Sequence, residues 1–382
     1  MTAFDFPRPV MTPEAETLRG EVRAFLDEEL GALRAAGKYV GWTHADPAFS
    51  RKLGARGWIG MTWPRTYGGG ERSATERYVV IEEMLAAGAP VGAHWTADRQ
   101  VGPLLLSHGS EDQRQLLLPG IAAGTCYVAI GLSEPGVGSD LASIKARAVP
   151  VDGGYRLSGT KIWTTNAHLS HYAVVLCRTD GEPGDRHAGL SQLLIDLGSP
   201  GIDIRPIIDM TGSHSFNEVH FDDVFVPETM LIGLRGNGWA QVSGEMGNER
   251  SGPDRFLSSF AVVEALVRRT REKPSDERRA AVGRLVAQVA VLRRLSASIA
   301  EMIRKGEDPT VQGALVKDIG TALEQEIPEV ARRLFAIEPS PEAADPLSAL
   351  VGSTLLAAPS FTLRGGTREI LRGIIARGLG VR

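Results

Sequence analysis

The chain has 382 residues, 43% hydrophobic and 23% charged, with a formal net charge of −4. That length allows two or three domains of roughly 150 residues, each with a core of useful size. The charge argues against nucleic acid or an anionic membrane surface as a partner.

Met1–Val10 lacks a basic region followed by an apolar stretch, so no secretory signal is expected. No apolar run approaches the roughly 18 residues of a membrane span, and a cytoplasmic location is expected. The first third reads as helices. Thr12-Pro13-Glu14 starts one with a capping hydroxyl, a first-turn proline and an acid near the positive end of the helix dipole. Leu18, Val22, Phe25, Leu26, Leu30 and Leu33 then recur on one face. Ser73 and Glu76 have capping-box spacing ahead of Tyr78–Ala87, which Gly88 and Pro90 stop. Ser110 and Gln113 repeat the device before Leu116–Leu118.

The period changes in the middle third. Cys126–Leu132, Ile144–Val149, Tyr155–Ser158, Tyr172–Arg178, Leu190–Leu197 and Val219–Phe221 are short runs, several of them β-branched. Asp152-Gly153-Gly154 is a hairpin signal, and strands in such succession predict a small antiparallel barrel or sandwich. Cys126 and Cys177 lie far apart in apolar runs, which fits buried, reduced thiols and no metal site. Gly233–Gly238 closes the segment, and helical patterns return at Val262–Arg269, Ala280–Ile303 and Val311–Leu334. Pro328 is expected to kink or interrupt the last of these. Glu272–Asp276 and Glu338–Asp345 are polar connections. The order is an all-α N-terminal domain (1–124), an antiparallel β middle domain (125–236) and an α-helical bundle C-terminal domain (237–382). Without βαβ alternation, a Rossmann fold is not expected.

Two segments carry chemistry. Leu132-Ser133-Glu134-Pro135-Gly136-Val137-Gly138-Ser139-Asp140 is a turn whose successive N–H groups can form an anion nest, with glycine letting a phosphate come close. The same residues also make an ordinary turn, and the full dinucleotide fingerprint is absent. Gly159-Thr160-Lys161-Ile162-Trp163-Thr164-Thr165-Asn166 puts a tryptophan on a strand, where it can stack on a flat ring while neighbouring hydroxyls bond the ring's polar edge. A core tryptophan between strand threonines is the alternative.

Together these segments resemble the acyl-CoA dehydrogenase family. The resemblance extends to Gly57-Trp58, Trp63-Pro64 and Tyr67-Gly68-Gly69, then to Phe221-Asp222-Asp223-Val224-Phe225-Val226-Pro227, Gly236-Asn237-Gly238-Trp239, Asn248-Glu249-Arg250 and Gly366-Thr367-Arg368-Glu369-Ile370-Leu371-Arg372-Gly373. It implies an acyl-CoA dehydrogenase-like fold of helical, β and helical domains, with FAD extended between the β domain and the C-terminal helices. Ile130, Leu132, Ser133, Gly138 and Ser139 would follow the flavin and its phosphates, with Ser139 also near CoA. Trp163 would flank the isoalloxazine, Thr164 and Thr165 would line its edge, and Thr367 and Glu369 would touch the adenosine half. Val137 stands where the family has a small residue, a local packing change. The chemistry implied is removal of the α-proton of an acyl thioester as a β-hydride passes to the flavin. That needs donors on the thioester oxygen and a carboxylate whose pKa burial has raised.

The chain departs from the family pattern twice. Most members carry the catalytic Glu at the position of Gly365, where this chain has no side chain to offer. A smaller group carries it on an earlier helix in a Glu-Arg pair, which makes Glu249 the expected base, Glu245 one turn earlier the fallback, and Arg250 the residue that positions CoA or the helix. Gly365 still offers a backbone N–H to the thioester oxygen. Second, the segments that members lend to a neighbour's FAD are replaced by Arg269-Thr270-Arg271-Glu272-Lys273-Pro274 and Leu334-Phe335-Ala336-Ile337-Glu338-Pro339. This pattern resembles the bacterial heterotetrameric (α2β2) members, several of which act on steroid side chains as CoA thioesters. The expected partners are therefore a bulky acyl-CoA, a non-identical sister subunit and an electron-transferring flavoprotein. A catalytically silent structural subunit and a same-fold flavin oxidase are the competing readings. Met84, Trp95 and Gln100 are candidate pocket residues or plain helix packing.

Overall fold

The helix starts that the sequence marks are built from the side chains that mark them. The computed structural model describes residues 5–35, 41–180, 186–250 and 252–381, without the side chains of residues 35 and 245–249. Thr12 Oγ1 accepts from the Ala15 amide at 3.2 Å ahead of α1 (Pro13–Ala35). Leu18, Val22, Phe25, Leu26 and Leu30 are buried along it, and Leu33 is exposed. Capping boxes at Ser73/Glu76 and Ser110/Gln113 open α3 (Ala74–Ala86) and α6 (Glu111–Ala122). Between them lie α4 (Gly92–Thr96) and α5 (Gly102–His108), joined by a π-helical turn at Ala97–Val101, and α2 (Pro47–Ala55) precedes them all.

The motif around Trp63 is a packing device. The indole is fully buried, and a Cβ on Gly102 would run into its ring. The Asp98 carboxylate accepts the Gly60 amide at 2.8 Å and ties the same loop to the π-helical turn.

The sheet contains β1 (Val128–Gly131), β2 (Arg147–Val151), β3 (Gly154–Thr165), β4 (Tyr172–Arg178), β5 (Leu190–Asp196), β6 (Ile202–Ile208) and β7 (His214–Pro227). The strand order is β1-β4-β2-β3-β7-β6, with β5 paired to β4. Among the described residues its pairings are antiparallel, except that β4 runs parallel to β1 and β2. Asp152-Gly153 makes the β2–β3 hairpin. Ala148, Leu157, Val175, Leu193, Val219 and Phe221 form the heart of its core. Cys177 lies within this core and Cys126 is half-buried; both are free, and burial pushes their thiols up to about 12 and about 11.

The C-terminal part holds α7 (Gly238–Glu249), α8 (Phe260–Glu272), α9 (Asp276–Arg304), α10 (Thr310–Leu334), α11 (Pro346–Phe361) and α12 (Arg368–Gly378). The chain divides into two compact units. One comprises Met1–Trp42, Ser73–Ala89 and Met246–Arg382, the other Thr43–Arg72 and Pro90–Glu245.

Of the kink or interruption expected at Pro328, the interruption does not occur: α10 runs on through it. Proline removes the donor that the Glu324 carbonyl would have used. The Ser259 hydroxyl donates to that carbonyl instead, at 2.8 Å. Ser259→Ala should therefore cost about 1–3 kcal/mol by chemical denaturation. In a Pro328→Ala background the loss should shrink, because the helix regains its own donor. Equal losses in both backgrounds would refute the compensation.

A second test concerns His94 on α4, whose Nδ1 lies 2.8 Å from the Ser50 hydroxyl on α2. Burial pushes this imidazole down to about 4, against the opposing pull of Asp98. Between that value and the ordinary 6.5 the unfolded chain binds a proton that the folded chain does not, so stability is full above the upper limit and falls as pH drops through the window. The loss should reach about 3 kcal/mol near pH 4, measured by denaturation at stepped pH. His94→Gln should flatten that slope.

Candidate active site

The two segments singled out in the sequence are joined by one buried ion pair. Lys161 on β3 is 0% exposed and Glu134 in the turn is 6% exposed. Lys161 Nζ lies 2.8 Å from Glu134 Oε1 and donates to the Leu132 carbonyl at 3.0 Å. The Glu134 carboxylate also accepts the Lys145 and Ala146 amides, at 2.6 and 2.8 Å. Burial lowers the Lys161 pKa, and Glu134 opposes that shift. The Ile162 amide donates to the Ser133 carbonyl, and Glu134 and Val137 exchange backbone bonds across the turn. Val137 is buried, as its apolar side chain requires.

These contacts tie down the Leu132, Ser133 and Glu134 carbonyls and do not use the Gly138 and Ser139 amides. Among the described residues nothing accepts from the Gly138 or Ser139 amide, and open space surrounds Gly138. Both residues are exposed, whereas Ile130, Leu132 and Ser133 are half-buried. Adjacent turn N–H groups without acceptors suit a phosphate.

On β3 the pairing with β7 slips between Lys161 and Thr164. Trp163 sits in this bulge with a φ of +60° and is 56% exposed. A bulky residue in the left-handed region is strained, and such strain is held where the side chain is needed in one direction. The Phe216 ring meets Trp163 edge-on at 5.9 Å. Thr165 is exposed as well, so an indole face and a hydroxyl are presented together. Thr164 corrects the expectation for its side chain. The bulge turns it inward, 1% exposed, and its hydroxyl finds no partner among the described residues. The residues present fit a diphosphate joined to a flat heteroaromatic ring.

The other group of expected residues lies in the helical unit. The side chain of Glu249, and that of Glu245, are outside the described residues. The backbone of Glu249 ends α7 just before Arg250, which is 4% exposed and donates from Nε to the Gly365 carbonyl at 2.9 Å. Lys317 on α10 donates to the Gly366 carbonyl at 2.7 Å. Gly365 and Gly366 have φ values of +66° and +97°, a pair that favours glycine. Thr367 leads into α12 without capping it; its hydroxyl bonds Glu369 instead. The Glu369 carboxyl is held below its usual range by its own amide first and by that hydroxyl second.

The preceding residue, Arg364, is clamped as well. Its guanidinium lies 3.0 Å from buried Glu324 and packs over the Trp42 and Phe361 rings at 5.1 and 4.9 Å. Sequence reading missed Glu134, Lys161, Lys317, Glu324 and Arg364 as site-forming residues. The available signal was a lysine inside a β-run; a charged residue in a helical pattern gives none. Of the candidate pocket residues, Met84 is core packing on α3, while Trp95, under the Arg99 guanidinium, and Gln100 are half-buried by the π-helical turn.

Lys161→Met leaves Glu134 buried without its cation and should cost about 3–5 kcal/mol in chemical denaturation. Adding Glu134→Gln should recover part of that loss. A double variant no more stable than the single one would show that the pair does not act as a unit.

The comparisons with known proteins agree over the whole chain. Models of the acyl-CoA dehydrogenase N-terminal, middle and C-terminal domains match residues 12–125, 129–224 and 236–380. Acyl-CoA dehydrogenase FadE29 of Mycobacterium tuberculosis is 31% identical, over 96% of each chain. FadE34 of the same organism is 32% identical over 86% of this chain, which spans only 45% of that relative's length. Of solved structures, the Tcur3481-Tcur3483 steroid ACAD superposes with a TM-score of 0.85 at 28% identity, covering 98% of this chain and 99% of that one. The ChsE4-ChsE5 complex from Mycobacterium tuberculosis gives 0.83 at 27% identity, covering 98% and 100%. This chain belongs to the acyl-CoA dehydrogenase family, oxidoreductases that bind FAD.

Proposed function

We propose that the chain is a dehydrogenase subunit that introduces a Cα–Cβ double bond into a bulky acyl-CoA thioester, with a steroid side chain as the leading candidate. The observation that carries this reading is the exposed Trp163 held in a left-handed bulge beside Thr165. In the reading, Trp163 and Thr165 meet the flavin ring, and Ile130, Leu132, Ser133, Gly138 and Ser139 follow it toward the phosphates. Thr367 and Glu369 serve the adenosine end. Bound FAD supplies a two-electron acceptor for the β-hydrogen.

The protein's own residues do the rest. Glu249 takes the α-proton onto its carboxylate, and the Cα–H pair becomes the new double bond as the β-hydrogen leaves with its electrons. Enolate charge grows on the thioester oxygen meanwhile, and the Gly365 N–H stabilises it. Arg250 holds the Gly365 carbonyl and leaves that N–H unencumbered. The missing side chain at Gly365 gives room for a base from α7 or for a wide acyl group. Relatives described as a steroid ACAD and as a two-protein complex support a bulky substrate and a non-identical sister subunit. The segments 1–124, 125–236 and 237–382 act as the domains, electrons pass on to an electron-transferring flavoprotein, and the setting is cytoplasmic.

Gly365 also favours a second reading, a silent subunit whose partner supplies the base. One variant separates the two. Glu249→Gln should lower turnover about 10²–10⁴-fold with flavin content unchanged, measured with acyl-CoA thioesters and a dye acceptor. Near-normal turnover would remove Glu249 from the mechanism and favour the silent subunit.

A further inference from the structure

The bulge that carries Trp163 is pinned on both sides by bonds outside the strand ladder. The register slip sets Ile162 and Trp163 against Glu218 alone, so the ladder is locally broken. Ahead of Trp163, the Ile162 amide donates to the Ser133 carbonyl at 3.0 Å. Behind it, the fully buried Asn217 side chain on β7 donates from Nδ2 to the Thr164 carbonyl, also at 3.0 Å. With Nδ2 as the donor there, the Oδ1 end of the amide is the acceptor. His214 Nε2 lies 2.8 Å from it, and His168, stacked on His214 at 3.8 Å, also bonds the Asn217 side chain. An amide engaged at both ends cannot turn over without breaking both sets of bonds.

The Thr164 carbonyl and the Thr165 amide belong to one peptide. That peptide is trans, so its C=O and N–H point in opposite directions. With the carbonyl turned to β7, the Thr165 N–H points away from β7. The next amide, that of Asn166, returns to the Ser215 carbonyl at 2.9 Å. This is the alternation of an antiparallel pair in which Thr165 and Phe216 face each other without bonding. On its other side β3 has no strand partner here among the described residues, because its pairing with β2 ends at Ser158. The Thr165 N–H is thus directed out of the ladder, on a residue whose side chain is exposed. Trp163 at positive φ is strained, and such a bulge keeps its shape only while the peptides around it are fixed.

We propose that Asn217 is a positioning residue for the flavin ring: it fixes the Thr164–Thr165 peptide so that the Thr165 N–H is aimed at the ring's polar edge beside Trp163. This rests on the reading of Trp163 and Thr165 as ring contacts. Asn217 acts from the buried side through the backbone. A donor fixed in advance at that edge favours electron density arriving on the ring without reorganisation.

The test uses the full chain loaded with FAD that carries ¹³C at the C4 carbonyl, the ring's acceptor at that edge. Isotope-edited infrared spectroscopy follows its C=O stretch. Asn217→Leu keeps the branched shape and removes the bonds at both ends; Asn217→Asp keeps the acceptor for the histidines and removes the donor. The parent frequency should lie below that of a flavin in an aprotic solvent, and both variants should lose at least half of that lowering. Turnover in both should fall about threefold to thirtyfold, with KM within about threefold and flavin content unchanged. A parent-like frequency in Asn217→Leu would overturn the role of Asn217 while leaving the function intact. A loss in Asn217→Leu but not in Asn217→Asp would overturn the bond to Thr164 as its cause. A parent frequency equal to that in aprotic solvent would overturn the ring-edge reading of Thr165 and the proposal together. Should Asn217→Leu fail to fold, Asn217→Ala, which removes the same bonds by truncation, provides the comparison.

Discussion

A single buried carboxylate ties together the turn and the strand at the centre of the β unit. Glu134 takes two backbone amides and the Lys161 ammonium, and the same ammonium takes the Leu132 carbonyl. Each charge is paired and each is hydrogen-bonded, the condition under which burial of ions is tolerated. The contact joins a turn to a strand 27 residues away in sequence. It thereby explains why the Glu-Pro-Gly turn and the Lys-x-Trp strand occur together: the glutamate of the first is the counter-ion of the lysine of the second.

The helical unit has a comparable centre in Glu324. Its carbonyl accepts the Ser259 hydroxyl, while its carboxylate accepts the Ser258 amide at 2.7 Å and pairs with Arg364. Burial raises the Glu324 pKa and Arg364 opposes that shift; burial likewise lowers the Arg364 pKa against the pull of Glu324. Arg364 is also sandwiched between two aromatic rings, so the residue before the Gly365-Gly366 pair has little freedom. The order of α10 past Pro328 and the shape of the glycine loop share this one residue.

The capped helices were legible because their signals are local: a hydroxyl or acid three residues from its amide needs no tertiary information. Tyr172–Arg178 was legible for the same reason, as a buried β-branched run. The full extents of β3 and β7 were not, because the bulges in their pairing break the alternation that marks a strand. One slipped residue also decides that Thr165 faces outward and Thr164 inward, a choice that composition cannot make. The strand β6 was missed because Pro206 counts against a strand, yet β6 is an edge, where a missing N–H costs nothing. Lys317 was invisible because lysine in a helical pattern reads as a solvated face, and only tertiary packing buries it.

Both halves solve one problem in the same way. A loop that must present free N–H groups cannot be held by those groups, so it has to be held by its carbonyls or its side chains. In the β unit the Leu132, Ser133 and Glu134 carbonyls are all engaged, and the Gly138 and Ser139 amides remain without acceptors among the described residues. In the helical unit Arg250 and Lys317 engage two carbonyls, and the glycine amides remain without acceptors among the described residues. Neutral donors would hold such carbonyls less tightly, since charge-assisted bonds are roughly twice as strong. Buried cations on the carbonyl side therefore hold both loops firmly while leaving these backbone donors without acceptors among the described residues.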